Sequence, residues 1–103
     1  MPRDLPAFDV ETKPGPVEQT LIEARELIST PEKWKPAAGM RTGRPLCMMG
    51  ALANTPGAFG RAFEFVTDAI GARYIPRWND AHTHSEVIAA FDRAIALAHA
   101  EGA

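Results

Sequence analysis

The sequence is poor in cysteine, in aromatic residues and in long apolar runs, and each shortage excludes a class of protein. One cysteine among 103 residues excludes an internal disulfide. No apolar run approaches the length of about 18 residues that a membrane-spanning helix needs. The first residues contain no apolar segment behind basic ones, so no secretory signal is predicted and the expected location is the cytoplasm.

Neither sign of charge dominates the composition. The 11 basic and 13 acidic residues give a formal net charge of -2, so no overall field draws the protein towards nucleic acid or an anionic membrane. With 46% hydrophobic residues, the chain can build one core, and it is too short for two independent domains.

Four prolines and a glycine interrupt residues 1–16, which therefore cannot sustain a helix. We predict an extended N-terminal arm over residues 1–16 and a single helical domain over residues 17–103. Leu5, Phe8 and Val10 alternate with polar neighbours, so the arm can pack in an extended form on its own domain or on a partner.

Four helices are predicted from apolar residues at helical spacing and from capping signals. They run from Pro16 to Ser29, from Pro45 through Leu52, from Thr55 to Gly71, and from Thr83 to about Ala100. A short turn at residues 30–32 is expected to carry Trp34. Prolines, glycines and basic residues predict a loop over residues 35–44.

Residues 72–78 combine three large apolar side chains with Pro76, a pattern that predicts an extended crossing and at most an edge strand. Four helices with short connections bury their apolar stripes most simply as a bundle. The predicted fold class is therefore mainly α, a compact four-helix domain with an extended N-terminal arm and at most one short extended segment near 72–78.

The densest group of chemically capable side chains lies in residues 78–86, Trp-Asn-Asp-Ala-His-Thr-His-Ser-Glu. Thr83 and Glu86 have the spacing of a capping box, in which each side chain accepts a hydrogen bond from the other residue's backbone N–H. Asn79 and Asp80 are expected to form a turn through their own side chains, with His82 and His84 exposed at the helix start.

Four motifs extend beyond this segment: C-x-x-G-A-L at 47–52, W-N-D at 78–80, T-H-x-E-V at 83–87 and F-D-x-A-I at 91–95. With them the chain resembles, over roughly residues 17–100, a family of small uncharacterised proteins from bacteria and their phages. Members often carry an aromatic residue before the cysteine, where this chain has Leu46. The resemblance implies a phage or mobile-element context and no known activity.

A cysteine-dependent hydrolase or acyltransferase is the enzymatic alternative. Cys47 is predicted in the first turn of a helix, where the helix dipole favours a thiolate. His84 or His82 could act as the base, oriented by Asn79 or Asp80. An apolar helix is, however, the usual setting of a buried and inert cysteine, so no catalytic residue is assigned.

The same side chains could supply nitrogen, oxygen and sulfur ligands for zinc. His82 and His84 lie two residues apart around the helix cap, rather than on one helix face, and there is no second cysteine. We therefore predict no metal and no cofactor.

A weak anion site is predicted at Arg41 and Arg44, because Gly43 lets the backbone approach a ligand. The loop lacks the lysine and glycine spacing of a phosphate-binding loop, so nucleotide hydrolysis is not supported. Arg73 and Arg77 beside Tyr74 and Trp78 could stack on bases, but the overall charge does not favour nucleic-acid binding.

The favoured interpretation is a non-catalytic protein-interaction module, because Trp, Tyr and Arg dominate the binding energy of many interfaces. Pro76 lies among these residues and stiffens the segment. The predicted partner is a larger host protein complex, and the family context narrows it to a host defence or nuclease complex that the protein inhibits. The predicted partner-binding residues are Tyr74, Arg77, Trp78, Asn79, Asp80 and His82.

Overall fold

Five α-helices and one short 3₁₀ turn make up the fold, in a computed structural model that describes residues 13–38 and 45–103. The 3₁₀ turn spans Pro31–Lys33. The helices are α1 (Pro16–Glu26), α2 (Met48–Ala53), α3 (Arg61–Ile70), α4 (Ile75–Asp80) and α5 (His84–Ala100).

The three longer helices form the main core. Helix α5 packs against both α1 and α3, and α1 also contacts α3. Phe91 of α5 is the largest fully buried side chain, and alanines on the same face let the neighbouring backbones approach it closely. The residues that these helices bury together are Leu21, Ala24, Ala62, Phe65, Val66, Val87, Ala90, Phe91, Ala94 and Ala98.

Polar contacts fix α1 along α5. The carboxylate of Glu18 is buried, and a buried charge requires a partner, which His99 provides through Nδ1 at 3.0 Å. Arg25 and Asp92 form an ion pair at 2.8 Å. At the start of α1 a Cβ on Gly15 would lie 2.5 Å from the carbonyl group of Ala103, so this close crossing requires glycine.

The two short helices pack against each other, and α2 also contacts α1. Helix α2 is buried on nearly all sides, as its apolar sequence predicts. An isolated parallel bridge between Trp34 and Leu46 precedes it. In this bridge the Lys35 N–H donates to the Leu46 carbonyl and the Leu46 N–H donates to the Lys33 carbonyl, both at 2.9 Å.

The mainly helical fold class is confirmed, together with several predicted boundaries. Helix α1 begins at Pro16, and Gly71 ends α3 in the left-handed conformation with φ of 66°. Both bonds of the predicted capping box are present at Thr83 and Glu86. No helix in the described part of the chain is both long and apolar enough to cross a membrane.

Three helix boundaries differ from the prediction. Helix α1 ends at Glu26 rather than Ser29, and α2 begins at Met48 rather than Pro45. Helix α3 begins at Arg61 rather than Thr55, because the Thr55 hydroxyl donates to the Ala51 carbonyl at 2.8 Å and closes α2 instead. Phe59, which falls within the predicted third helix, instead precedes α3 and is 59% exposed.

The predicted extended segment at 72–78 is wrong from residue 75 onwards, where α4 begins. Pro76 is the second residue of α4. The first N–H groups of a helix have no acceptor within the helix, so no hydrogen bond is lost when proline stands there. The described residues therefore form five α-helices, where the sequence predicts four. Residues 1–12 of the predicted arm and residues 39–44 of the predicted loop lie outside the described residues.

The capping box makes the stability of the fold depend on pH. The Thr83 N–H donates to Glu86 Oε1 at 2.9 Å, and this backbone hydrogen bond lowers the pKa of Glu86 below its ordinary 4.5. Because the folded-state pKa is the lower one, the stabilisation is complete above pH 4.5 and is lost as the pH falls through the folded-state pKa.

We expect Glu86→Gln to be less stable than the wild type at pH 7, with the difference shrinking as the pH is lowered below 4.5. Urea unfolding of both proteins between pH 7 and pH 3 measures this difference in unfolding free energy. Glutamine keeps an acceptor for the Thr83 N–H, so the comparison isolates the charge. A difference in unfolding free energy that stays constant over this range would contradict the assignment.

Candidate functional site

The side chain of Asn79 is completely buried, with 0% exposure, in the middle of the segment that the sequence marks as chemically dense. Its Oδ1 accepts two hydrogen bonds, from Trp34 Nε1 at 2.7 Å and from the Met48 N–H at 3.0 Å. Its Nδ2 donates to Asp80 Oδ1 at 3.1 Å. One amide thus joins α4 to the start of α2 and to the segment after the 3₁₀ turn.

Asp80 extends this network to the backbone of Ala37, whose N–H donates to Asp80 Oδ1 at 2.7 Å. Ala37 has a φ of 58°, a left-handed conformation that costs a residue with a Cβ about 1 kcal/mol. The hydrogen bond that Asp80 accepts from Ala37 offsets this cost, so α4 holds residues 34–38 in place.

The sequence predicts an exposed His84, but this side chain is half-buried on the inner side of the same region. Its Nε2 is 2.7 Å from the Ile28 carbonyl, which can only accept, so this nitrogen donates. The imidazole is also 5.9 Å from the Trp34 ring, between centroids. We call Trp34, Asn79, Asp80 and His84 the buried network after Asn79, which is fully buried; Trp34 and His84 are half-buried, and Asp80 is exposed. Their polar atoms join α4 and α5 to the start of α2 and to residues 28–37.

Cys47 is the N-cap of α2, one position before the helix rather than within its first turn. The residue is 2% exposed, and its Sγ accepts a hydrogen bond from the Gly50 N–H at 3.4 Å. The alternative catalytic residues Cys47, His84 and Asn79 therefore all have contacts that support packing. Asn79 bonds to the residue next to the cysteine, because its Oδ1 accepts from the Met48 N–H. The same oxygen also accepts from Trp34 Nε1.

The opposite face of α4 is open to solvent. Ile75 and Asn79, one helical turn apart, point inward, whereas Tyr74, Arg77, Trp78 and Ala81 follow the spacing of one outer face. Beside this face lies a groove of about 570 Å³, which we call the α4 groove. Its lining consists of Gly71, Ala72, Arg73, Tyr74, Arg77, Trp78, Ala81 and His82.

A second depression of about 410 Å³ adjoins the α4 groove and shares Tyr74, Arg77 and Ala81 with it. Asp80 lies in this second depression. The structure therefore places five of the six predicted partner-binding side chains on one continuous surface. The sixth prediction is wrong: Asn79 is buried, because it faces the other side of α4 and serves the buried network.

Stacking fixes the aromatic floor of the α4 groove. The rings of Trp78 and His82 are 3.7 Å apart between centroids and tilted by 15°. His82 Nδ1 lies 2.6 Å from the Trp78 carbonyl and donates to it, which leaves Nε2 of the neutral imidazole as an acceptor. Tyr74 at the rim is 65% exposed.

Two cations border the α4 groove. Arg73 and Arg77 are exposed, and neither forms an ion pair with another residue in the described ranges 13–38 and 45–103. Sequence reasoning named Arg73 only for base stacking and did not identify Gly71, Ala72 or Ala81. With Pro76 read as a helix start, the spacing of residues 74, 77, 78 and 81 indicates that they share one helix face.

The residues of the predicted anion site, Arg41 and Arg44, lie outside the described residues. Within residues 13–38 and 45–103, no group of three or more His, Cys, Asp or Glu side chains is placed to hold a metal ion.

Comparison with known protein families matches residues 12–97 to a family of unknown function. This match confirms the resemblance to an uncharacterised family. No curated protein and no solved structure matches the chain.

Removing the amide of Asn79 should destabilise the whole fold. In Asn79→Ala the Trp34 and Met48 N–H groups lose their acceptor, at a combined cost of about 2–4 kcal/mol in unfolding free energy. Asp80→Ala removes a hydrogen-bond acceptor at an exposed site and should cost about 1 kcal/mol. Urea unfolding measures both, and equal losses would show that the buried network does not centre on Asn79.

The burial of Cys47 predicts slow chemistry at its sulfur. We expect Ellman's reagent to label the native protein slowly and the urea-unfolded protein quickly, because the reagent must wait for an opening of the fold. Absorbance at 412 nm follows the reaction. Rapid labelling of the native protein at neutral pH would revive the catalytic alternative with His84 or His82 as the base.

Proposed function

The chain belongs to DUF6197, a family of unknown function, and we propose that it is a non-catalytic protein-interaction module that binds its partner through the α4 groove. One observation carries the proposal. Tyr74 and Arg77, which are exposed, and Trp78, which is half-buried, are the residue types with the strongest binding character. All three lie on a single face of α4 beside an open groove.

The rigidity of this face supports binding. Trp78 is held by its stack with His82, and α4 itself is anchored by the two hydrogen bonds that Asn79 Oδ1 accepts from Trp34 and Met48. A surface that is already ordered pays little conformational entropy when a partner docks. Asn79 would thus contribute to binding without touching the partner.

The cysteine-dependent alternative has less support from the geometry. Its three residues are engaged in caps and backbone hydrogen bonds, and Cys47 is 2% exposed. A substrate needs an open approach to a nucleophile, whereas the linings of the α4 groove and the second depression contain neither Cys47 nor His84.

A narrower form of the proposal makes the partner a host defence or nuclease complex that the protein inhibits in the cytoplasm. Family resemblance alone supports the phage context. The single cysteine, which cannot form an internal disulfide, favours the cytoplasm.

Site-specific photo-crosslinking tests the proposed surface. We expect p-benzoylphenylalanine at position 74 to crosslink a partner protein in lysate of the source organism or its host, with mass spectrometry identifying the product. Phe59 provides a matched control, because it is aromatic, lies outside the groove and is 59% exposed against 65% for Tyr74.

Crosslinking from position 74 should disappear when Arg77→Glu is added, whereas crosslinking from position 59 should recover other proteins or none. The changes at Tyr74 and Arg77 alter exposed side chains, so the free energy of unfolding of each variant should lie within about 0.5 kcal/mol of the wild-type value. The same products from positions 74 and 59, unaffected by Arg77→Glu, would show that the α4 groove is not the binding surface.

A further inference from the structure

We propose that the α4 groove receives an acidic segment of a partner protein, with an aromatic or large aliphatic side chain in the groove and carboxylates beside Arg73 and Arg77. This inference rests on the proposed function, since it specifies the chemistry of the partner at the same surface. Charge, shape and the state of the aromatic rings each support it.

The charges around the α4 groove favour carboxylates. Arg73 and Arg77 are exposed and form no ion pair with another described residue, so both guanidinium groups can take a carboxylate in the bidentate geometry that arginine prefers. Two acidic side chains lie nearby. Asp80 already accepts hydrogen bonds from Ala37 and Asn79, and Asp68 lines a neighbouring depression with Arg73.

His82 adds a third polar group to the same surface. Its Nδ1 donates to the Trp78 carbonyl, so the other ring nitrogen is left as an acceptor for a backbone N–H of the partner, while the carboxylates bind the arginines. The overall charge of -2 makes this cationic border a local feature and not a reflection of a basic protein.

The shape of the α4 groove favours an apolar anchor between the charges. Its floor is formed by Trp78 together with small residues at positions 71, 72 and 81. Its volume of about 570 Å³ accommodates one or two large side chains. The second depression continues the surface past Tyr74 and Arg77, so an extended segment can lie across both.

Single-stranded nucleic acid fits this surface less well than a peptide. Base stacking needs free aromatic faces, and one face of Trp78 is covered by His82 at 3.7 Å. A phosphate backbone also needs a track of cations, whereas this groove has two arginines in a chain of net negative charge. We therefore infer an acidic protein segment.

Selection from a random peptide display library on the immobilised full-length chain tests the inference without knowledge of the partner. Counter-selection uses Tyr74→Ala, whose exposed side chain can be removed without unfolding the domain. We expect the surviving peptides to carry net negative charge around a Trp, Phe or Leu.

The double variant Arg73→Glu, Arg77→Glu should bind the enriched acidic peptides at least about tenfold more weakly, as measured by fluorescence anisotropy, because like charges then face each other. Replacing the peptide carboxylates with lysine should restore binding to the double variant. Lys13→Glu with Lys35→Glu is the matched control, since these exposed lysines lie outside the groove and change the net charge by the same amount.

Different failures have different meanings. Peptides that require Tyr74 but are neutral or basic would overturn the acidic assignment and leave the proposed groove intact. If no enriched peptide depends on Tyr74, the groove itself is rejected, and the proposed function with it. Binding of a fluorescent dT20 oligonucleotide that is lost in the Arg73→Glu, Arg77→Glu variant, but kept in the lysine control, would assign the surface to nucleic acid instead.

Discussion

The hydrogen bonds of the Asn79 side chain are the interaction on which the smaller half of the fold depends. Helices α2 and α4 have six residues each, a length at which an isolated helix is unstable in water. They persist because they are joined by the side chain of Asn79 in α4. Its buried Oδ1 accepts hydrogen bonds from the N–H of Met48, the first residue of α2, and from the Trp34 indole. A buried amide with three hydrogen bonds also specifies one arrangement of its neighbours, since any other arrangement would leave polar groups unpaired.

The same six-residue helix supports two different surfaces. Its inner residues, Ile75 and Asn79, bind the rest of the fold, and its outer residues form the α4 groove. The W-N-D motif illustrates the division, because Trp78 lines the groove, Asn79 is buried and Asp80 holds the backbone of Ala37. Several residues that carry the family resemblance therefore act in packing, and the groove takes its shape from the helix that they hold.

Local signals in the sequence were sufficient for the parts of the fold that local contacts decide. The start of α1 at Pro16, the stop of α3 at Gly71 and the capping box of α5 each depend on residues within one turn. The conformation around Pro76 is different, because proline suits both a helix start and an edge strand. The conformation of this segment is decided by the contacts of Asn79 with Met48 and Trp34, which lie 31 and 45 positions away in the sequence. A local sequence pattern does not contain such contacts. For the same reason the outer face of α4 was identified from residue types, while the burial of Asn79 was missed.

The stack of Trp78 on His82 gives the protein an optical property. Indole emission is sensitive to the groups that contact the ring, and here an imidazole lies 3.7 Å away between centroids. The second tryptophan, Trp34, is half-buried outside the α4 groove, where it donates to Asn79 and contacts His84. A ligand that enters the α4 groove should therefore change the emission of Trp78, so the domain carries its own spectroscopic reporter at that surface.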